Sequence, residues 1–150
     1  MSSPAFHEGD RIPAKYTCEG QDISPPIVWD DPPAGTESLT LVLEDPEDAT
    51  APGGVFTHWV LFNIPSSICE APENVPPQAK LANGALQGKN DFGNIGYGGP
   101  CPDGTGPHRY RFSLYALNCS LDIKAGVTKK QVLDSMQGHI VARSEFTGVY

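Results

Sequence analysis

Four side chains in this 150-residue sequence stand where they could do chemistry: Asp45, His58, His108 and Tyr110. Asp45 follows E-S-L-T-L-V-L-E at 37–44, a run of alternating leucines. His58 lies inside V-F-T-H-W-V-L-F-N-I at 55–64. His108 closes the stiff loop G-P-C-P-D-G-T-G-P at 99–107 and leads straight into R-Y-R-F-S-L-Y-A-L. Residues two apart on a strand face the same way. His108, Tyr110, Phe112 and Leu114 therefore share a face, and Phe112 and Leu114 read as core. That makes His108 and Tyr110 the end of a pocket wall.

If the three strands are neighbours, two imidazoles, a phenol and a carboxylate line one cavity. Imidazole and phenol donate hydrogen bonds. Glycines at 98 and 99 let backbone N–H groups come close to a ligand. Such a set suits a phosphate or carboxylate. Asp45 would fix a histidine tautomer or accept from an amine on the same ligand. The bland alternative is that each histidine is structural, and His7 and His139 are assigned to that class. Trp29 and Trp59 read as core. Two histidines and an aspartate would also suit a metal, but no H-x-H or H-x-x-E spacing supports one, and no metal or cofactor is expected. A serine hydrolase is disfavoured because there is no G-x-S-x-G elbow.

These residues need a β scaffold. Gly and Pro number 16 and 15, which suits loop-rich β architecture better than a helical bundle. Strands are expected at 26–29, 37–44, 55–64, about 86–91 and 108–117, with a short one near Arg11–Ile12. In the 37–44 run the leucine alternation predicts burial on one face. In the 55–64 run both faces are apolar, and Phe56, His58, Val60 and Phe62 are expected together on one of them. One helix is expected from Thr128 to about Ala142, opened by a Thr128–Gln131 capping box and striped by Val132, Leu133, Met136 and Ile140. Gly148–Tyr150 reads as a tail. The expected fold is mainly β, an antiparallel sandwich with one or two peripheral helices, in one domain over 1–150.

With 18 acidic against 10 basic residues, the net charge is −8. Such a surface repels nucleic acid and acidic membranes. No stretch approaches the roughly 20 apolar residues of a membrane span, and the N-terminus has no leader pattern, so a soluble cytoplasmic protein is expected. Accordingly Cys18, Cys69, Cys101 and Cys119 are expected to be reduced thiols. The prolines at 25 and 26 could take either peptide isomer.

Four motifs together make the chain resemble the phosphatidylethanolamine-binding protein family, also called Raf kinase inhibitor proteins, in its bacterial and archaeal branch. They are S-P-P-I-V-W at 24–29, D-P-E-D-A-T-A-P-G-G at 45–54, T-H-W-V-L-F-N-I-P at 57–65 and G-P-C-P-D-G-T-G-P-H-R-Y at 99–110. The ending G-H-I-V-A-R-S-E-F-T-G-V-Y fits as well. The resemblance implies two antiparallel sheets with a small anion pocket at one end. It implies ligand-binding roles for Asp45, His58, His108 and Tyr110, with Pro52 and the Gly99–Pro102 segment, Gly99 and Pro100 included, shaping the rim. The run from Asp45 to Pro52 is longer than the family's pattern and carries Glu47 after the proline, so the carry-over rests on Asp45. The implied function is non-enzymatic binding of a small anion such as a phosphate ester or phospholipid head group, with regulatory inhibition of a kinase or serine protease. The alternatives are a loop-mediated serine protease inhibitor with a vestigial pocket, or a metal-dependent hydrolase. A homodimer is expected by the same resemblance.

Overall fold

The computed structural model describes residues 1–150. Its elements are β1 (Ile27–Val28), β2 (Ser38–Asp45), β3 (Phe56–Pro65), β4 (Glu70–Ala71), β5 (Leu86–Gln87), β6 (Arg109–Leu117), α1 (Lys129–Met136) and β7 (Ile140–Val149). Five strands form an antiparallel sheet in the order β5-β3-β2-β6-β7, and β1 pairs with β4 in a small second sheet. The mainly β, antiparallel architecture with a peripheral helix is the one expected.

Each face of the large sheet carries its own apolar cluster. On one face Leu39, Leu41, Leu43, Trp59, Phe112 and Phe146 pack with Phe6, Ile12, Trp29 and the small sheet's Ile27 and Ala71. On the other, Val42, Val60, Phe62 and Leu117 pack beneath Val132 and Met136 of α1. This double cover corrects the reading of β2 as half buried: all eight of its residues are buried. It lies between β3 and β6, and even its polar positions are roofed.

The helix is shorter than its apolar stripe suggests. The Thr128–Gln131 capping box forms as expected, and α1 then stops at Met136. The chain leaves the helix at Gln137, whose ψ of 129° is extended, and Gly138, at φ +82°, completes the turn with the left-handed conformation that glycine adopts cheaply. Ile140 is therefore no helix residue: it opens β7 and is 47% exposed. The expected C-terminal tail is the end of this ten-residue strand, paired along β6. No strand forms at residues 11–12; Arg11 makes an isolated bridge to Val149. All peptide bonds are trans, those of Pro25 and Pro26 included.

The expectation of four free thiols is overturned for two of them. Cys18 and Cys101 are disulfide-bonded across a sequence separation of 83, while Cys69 and Cys119 are free. The reason lies in a close approach that spacing along the chain does not reveal. A Cβ on Gly99 would sit 2.3 Å from the Tyr16 carbonyl oxygen and 3.0 Å from the Thr17 Cα. Only glycine lets the 99–101 segment lie against the 16–18 turn.

Candidate functional site

Strand register brings three of the four side chains to one place. β2 and β6 run in step through Leu43–Phe112 and Glu44–Arg111, which carries Asp45 next to Tyr110. His108 precedes β6 and is tied to the chain end by two backbone bonds, its N–H to the Tyr150 carbonyl at 2.9 Å and the Tyr150 N–H to its carbonyl at 3.1 Å. Parity then keeps His108 on the Tyr110 face.

His58 arrives by another route. Leu43 pairs with Trp59, but the next β2 residue, Glu44, pairs with Thr57. His58 is the extra residue of a β-bulge, a device that re-aims a side chain. The expected grouping of Phe56, His58, Val60 and Phe62 is corrected accordingly. Val60 and Phe62 belong to the cluster under α1. The His58 ring lies on the opposite face, 4.9 Å from the Phe56 ring and 5.3 Å from the Tyr110 ring, edge-on to the latter.

The two imidazoles have different protonation. The His58 Nδ1 lies 2.7 Å from the Gly98 carbonyl oxygen. A carbonyl only accepts, so Nδ1 carries the hydrogen and Nε2 is left for a ligand. Burial pushes the His58 pKa down, against the pull of the Gly98 carbonyl and the more distant Asp45. Gly98 has no side chain because the Phe92 ring occupies that space, 2.4 Å from where a Cβ would stand.

His108 is held as a cation. Its Nδ1 is 2.6 Å from Asp45 Oδ2, and its Nε2 is 2.7 Å from Thr105 Oγ1. The Thr105 hydroxyl gives its one hydrogen to Asp103 Oδ1 at 2.5 Å, so its oxygen must accept from Nε2–H. With a carboxylate on the other side, both ring nitrogens donate. The Asp45 hydrogen bond raises the His108 pKa, burial opposes it, and the charges of Asp45, Asp103 and Glu47 add to the rise.

The site is a cavity of ≈ 90 Å³. Asp45, Asp48 and Asp103 supply three carboxylates to its wall; His58, His108 and Tyr110 supply the donors; Phe56 and Phe92 are apolar. Tyr110 is buried and its phenol pKa is raised, first by burial and then by Asp45 and the neighbouring acids. It therefore stays a neutral donor. Phe92, 46% exposed, stands at the mouth with its ring edge-on to Phe56. No group of three or more metal-binding side chains is assembled. A roomier cavity of ≈ 190 Å³ lies at the far end of the same face, by Trp29 and Leu114, but no histidine or tyrosine reaches it.

Asp45, His58, His108 and Tyr110 thus meet, whereas Gly99 and Pro100 stand behind the wall. The Gly99 N–H donates to Asp22 Oδ1 at 2.8 Å, and the Pro100 carbonyl accepts from the Cys18 N–H at 3.0 Å. Cys101 and Asp103 form the wall in their stead. Sequence reasoning did not select Asp48, Asp103, Phe56 or Phe92 for the site. The two aspartates sat inside the quoted motifs, while Phe92, in a glycine-rich loop, gave no signal.

A β-sheet with two histidines, a tyrosine and carboxylates converging on a small pocket at one end defines a class of ligand-binding scaffold. The chain belongs to the phosphatidylethanolamine-binding protein family, whose model matches residues 2–150. It is 46% identical to a UPF0098 protein of Methanothermobacter thermautotrophicus over 150 residues, 100% of this chain and 97% of that one. It is 47% identical to a UPF0098 protein of Aquifex aeolicus, covering 99% of this chain and 85% of the relative. Among solved structures, a putative phosphatidylethanolamine-binding protein homolog of Chlamydia trachomatis superposes with a TM-score of 0.90 at 40% identity, covering 99% of this chain and 94% of that one. YbcL of Escherichia coli, described as a new member of the mammalian family, gives 0.90 at 32% identity, covering 99% and 95%.

Proposed function

We propose that this protein binds, without turning it over, a small ligand bearing a phosphorylated head group. The observation that carries the reading is the convergence of His58, His108 and Tyr110 on one small cavity, all three as hydrogen-bond donors or ready to become so. An oxyanion would take the His108 Nε2–H in place of Thr105 Oγ1, the Tyr110 hydroxyl and, once protonated, His58 Nε2. Asp48 and Asp103 on the same wall suit an ammonium carried by the same molecule. The ligand class is therefore a phosphorylated amine. Titration with O-phosphorylethanolamine, followed through the histidine ring signals by NMR, tests this: both His58 and His108 should shift, and stationary rings would end the reading. A charge-assisted hydrogen bond is worth roughly 1.5–3 kcal/mol, so His108→Ala should weaken binding by about tenfold or more.

Regulation of a kinase or a serine protease forms the outer part of the proposal. It is supported by the Ala49–Gly54 segment, which follows Asp48 of the pocket wall, contributes Thr50 to that wall and turns tightly at Pro52–Gly54. A protein clamping that loop would also cover the pocket. Inhibition across a protease and kinase panel that survives His58→Ala and His108→Ala would separate loop-mediated inhibition from ligand capture.

A further inference from the structure

Residues 101–107 are held to the molecule in a peculiar way. Between the Pro100 carbonyl, which accepts from Cys18, and the His108 N–H, which donates to Tyr150, no backbone group forms a hydrogen bond with another backbone group. The side chains tie the loop to itself and to His108: Thr105 donates to Asp103 and accepts from His108. The one covalent tie to a distant part of the chain is the Cys18–Cys101 bond. Gly104 and Gly106, at φ +86° and +95°, have open space where a side chain would stand, so no packing on that side holds the loop. Asp103 faces the ligand cavity. Behind the loop, Pro102, Gly104, Gly106 and Pro107 border an open surface hollow of ≈ 450 Å³ that Arg11, Glu19 and Tyr150 also line. The loop is a thin partition with space on both sides, and both cysteines are exposed.

We infer that the Cys18–Cys101 disulfide is a redox switch on the pocket: while intact it holds Asp103 and Thr105 over His108, and its reduction lets the 101–107 loop retract and uncovers the His108 Nε2–H. The inference rests on the ligand site proposed above, and deepens it. In the oxidised protein Thr105 occupies the very donor that an oxyanion needs, and Asp103 adds a like charge to the wall. The reductant is a small dithiol. One of its thiolates attacks a sulfur of the Cys18–Cys101 bond, forming a mixed disulfide and expelling the other cysteine as a thiolate. The second dithiol sulfur then displaces the first cysteine. Two electrons pass to the protein, the dithiol leaves as its own disulfide, and its two protons end on Cys18 and Cys101. Exposed disulfides are the ones open to such exchange.

The experiment compares oxidised protein, dithiothreitol-reduced protein and a Cys18→Ser/Cys101→Ser variant. His108 is faced by Asp45 and Glu47 from β2 and the loop after it, by Asp103 and Thr105 from its own loop, and by Tyr110 from β6. Only the Asp103–Thr105 contact should change on reduction. The NMR titration midpoint of the His108 ring should therefore fall on reduction and in the serine variant, and Thr105→Ala in oxidised protein should lower it too. Inorganic phosphate should bind the reduced protein about threefold or more tightly, the effect of removing one carboxylate a few ångströms away in a water-like dielectric. An unchanged midpoint and unchanged phosphate affinity overturn the switch. Collapse of the β-sheet amide spectrum on reduction overturns it as well, since the bond is then a structural staple. A midpoint that moves while neither form binds phosphate or O-phosphorylethanolamine leaves the switch standing and removes the ligand reading instead.

Discussion

His58 and His108 respond to pH in opposite senses, and the difference follows from what each ring touches. Burial lowers the His58 pKa, so its contribution to stability is complete above the free value of about 6.5 and is lost as pH falls through the lowered value. Asp45 raises the His108 pKa, so that pairing contributes fully below about 6.5 and fades as pH rises through the raised value. Thermal midpoints measured from pH 5 to pH 8 should show both limbs. His58→Asn, which keeps a donor for the Gly98 carbonyl, should flatten the acid limb; His108→Gln should flatten the alkaline one. Asp45→Asn should bring the His108 midpoint down toward that of a free imidazole, read by NMR, without moving that of His58 by as much. These side chains were legible because each sits at a strand end or in a conspicuous motif. What parity hid was the aim of His58. A single extra residue in β3, invisible in an unbroken apolar run, sends it to the Tyr110 face. Asp103 and Thr105 were equally hidden, because the partner of a loop side chain depends on how the loop is tied.

Glu44 shows how the elements lock together behind the pocket. It neighbours Asp45 in β2 but points to the helix side, where it accepts from Arg111 of β6 and, at 2.6 Å, from Lys129 in the first turn of α1. Burial would raise its pKa, but the Arg111 and Lys129 contacts outweigh that and hold it low. One carboxylate thus joins β2, β6 and α1. Glu44→Gln would leave two cations without their counter-charge, at a cost of about 1.5–3 kcal/mol, the worth of charge-assisted hydrogen bonds. For a chain of this size each kcal/mol shifts the melting point by roughly 2–4 °C, so a fall of about 3–12 °C is expected by calorimetry, with β2 and therefore Asp45 less firmly placed. The strands themselves were readable from alternation and β-branched content. The boundary between α1 and β7 was not, because Ile140 continues a 3.6-residue stripe by chance. Gly138 was the physical signal, and it outranks periodicity: a turn completed by a left-handed glycine ends a helix whatever apolar residue follows.

The whole molecule is anionic, at −8, and its pocket wall repeats that sign through Asp45, Asp48 and Asp103. A bare phosphate therefore approaches against the global field and meets donors set among acids. A zwitterion does not carry this penalty, because its ammonium faces carboxylates while its oxyanion meets His108 and Tyr110. O-Phosphorylethanolamine should accordingly bind more tightly than inorganic phosphate or ethyl phosphate at the same pH. Salt separates the causes. Screening shortens the reach of surface charge to about 8 Å near physiological ionic strength, so raising salt from about 10 mM to that level should strengthen phosphate binding by relieving repulsion. The zwitterion, with no large net charge for the distant field to act on, should change little. Isothermal titration of the three compounds at two salt concentrations checks this. Phosphate affinity that falls steeply with salt would mean that the ligand is drawn in by a positive field, and that the carboxylates of the wall do not govern which molecule enters.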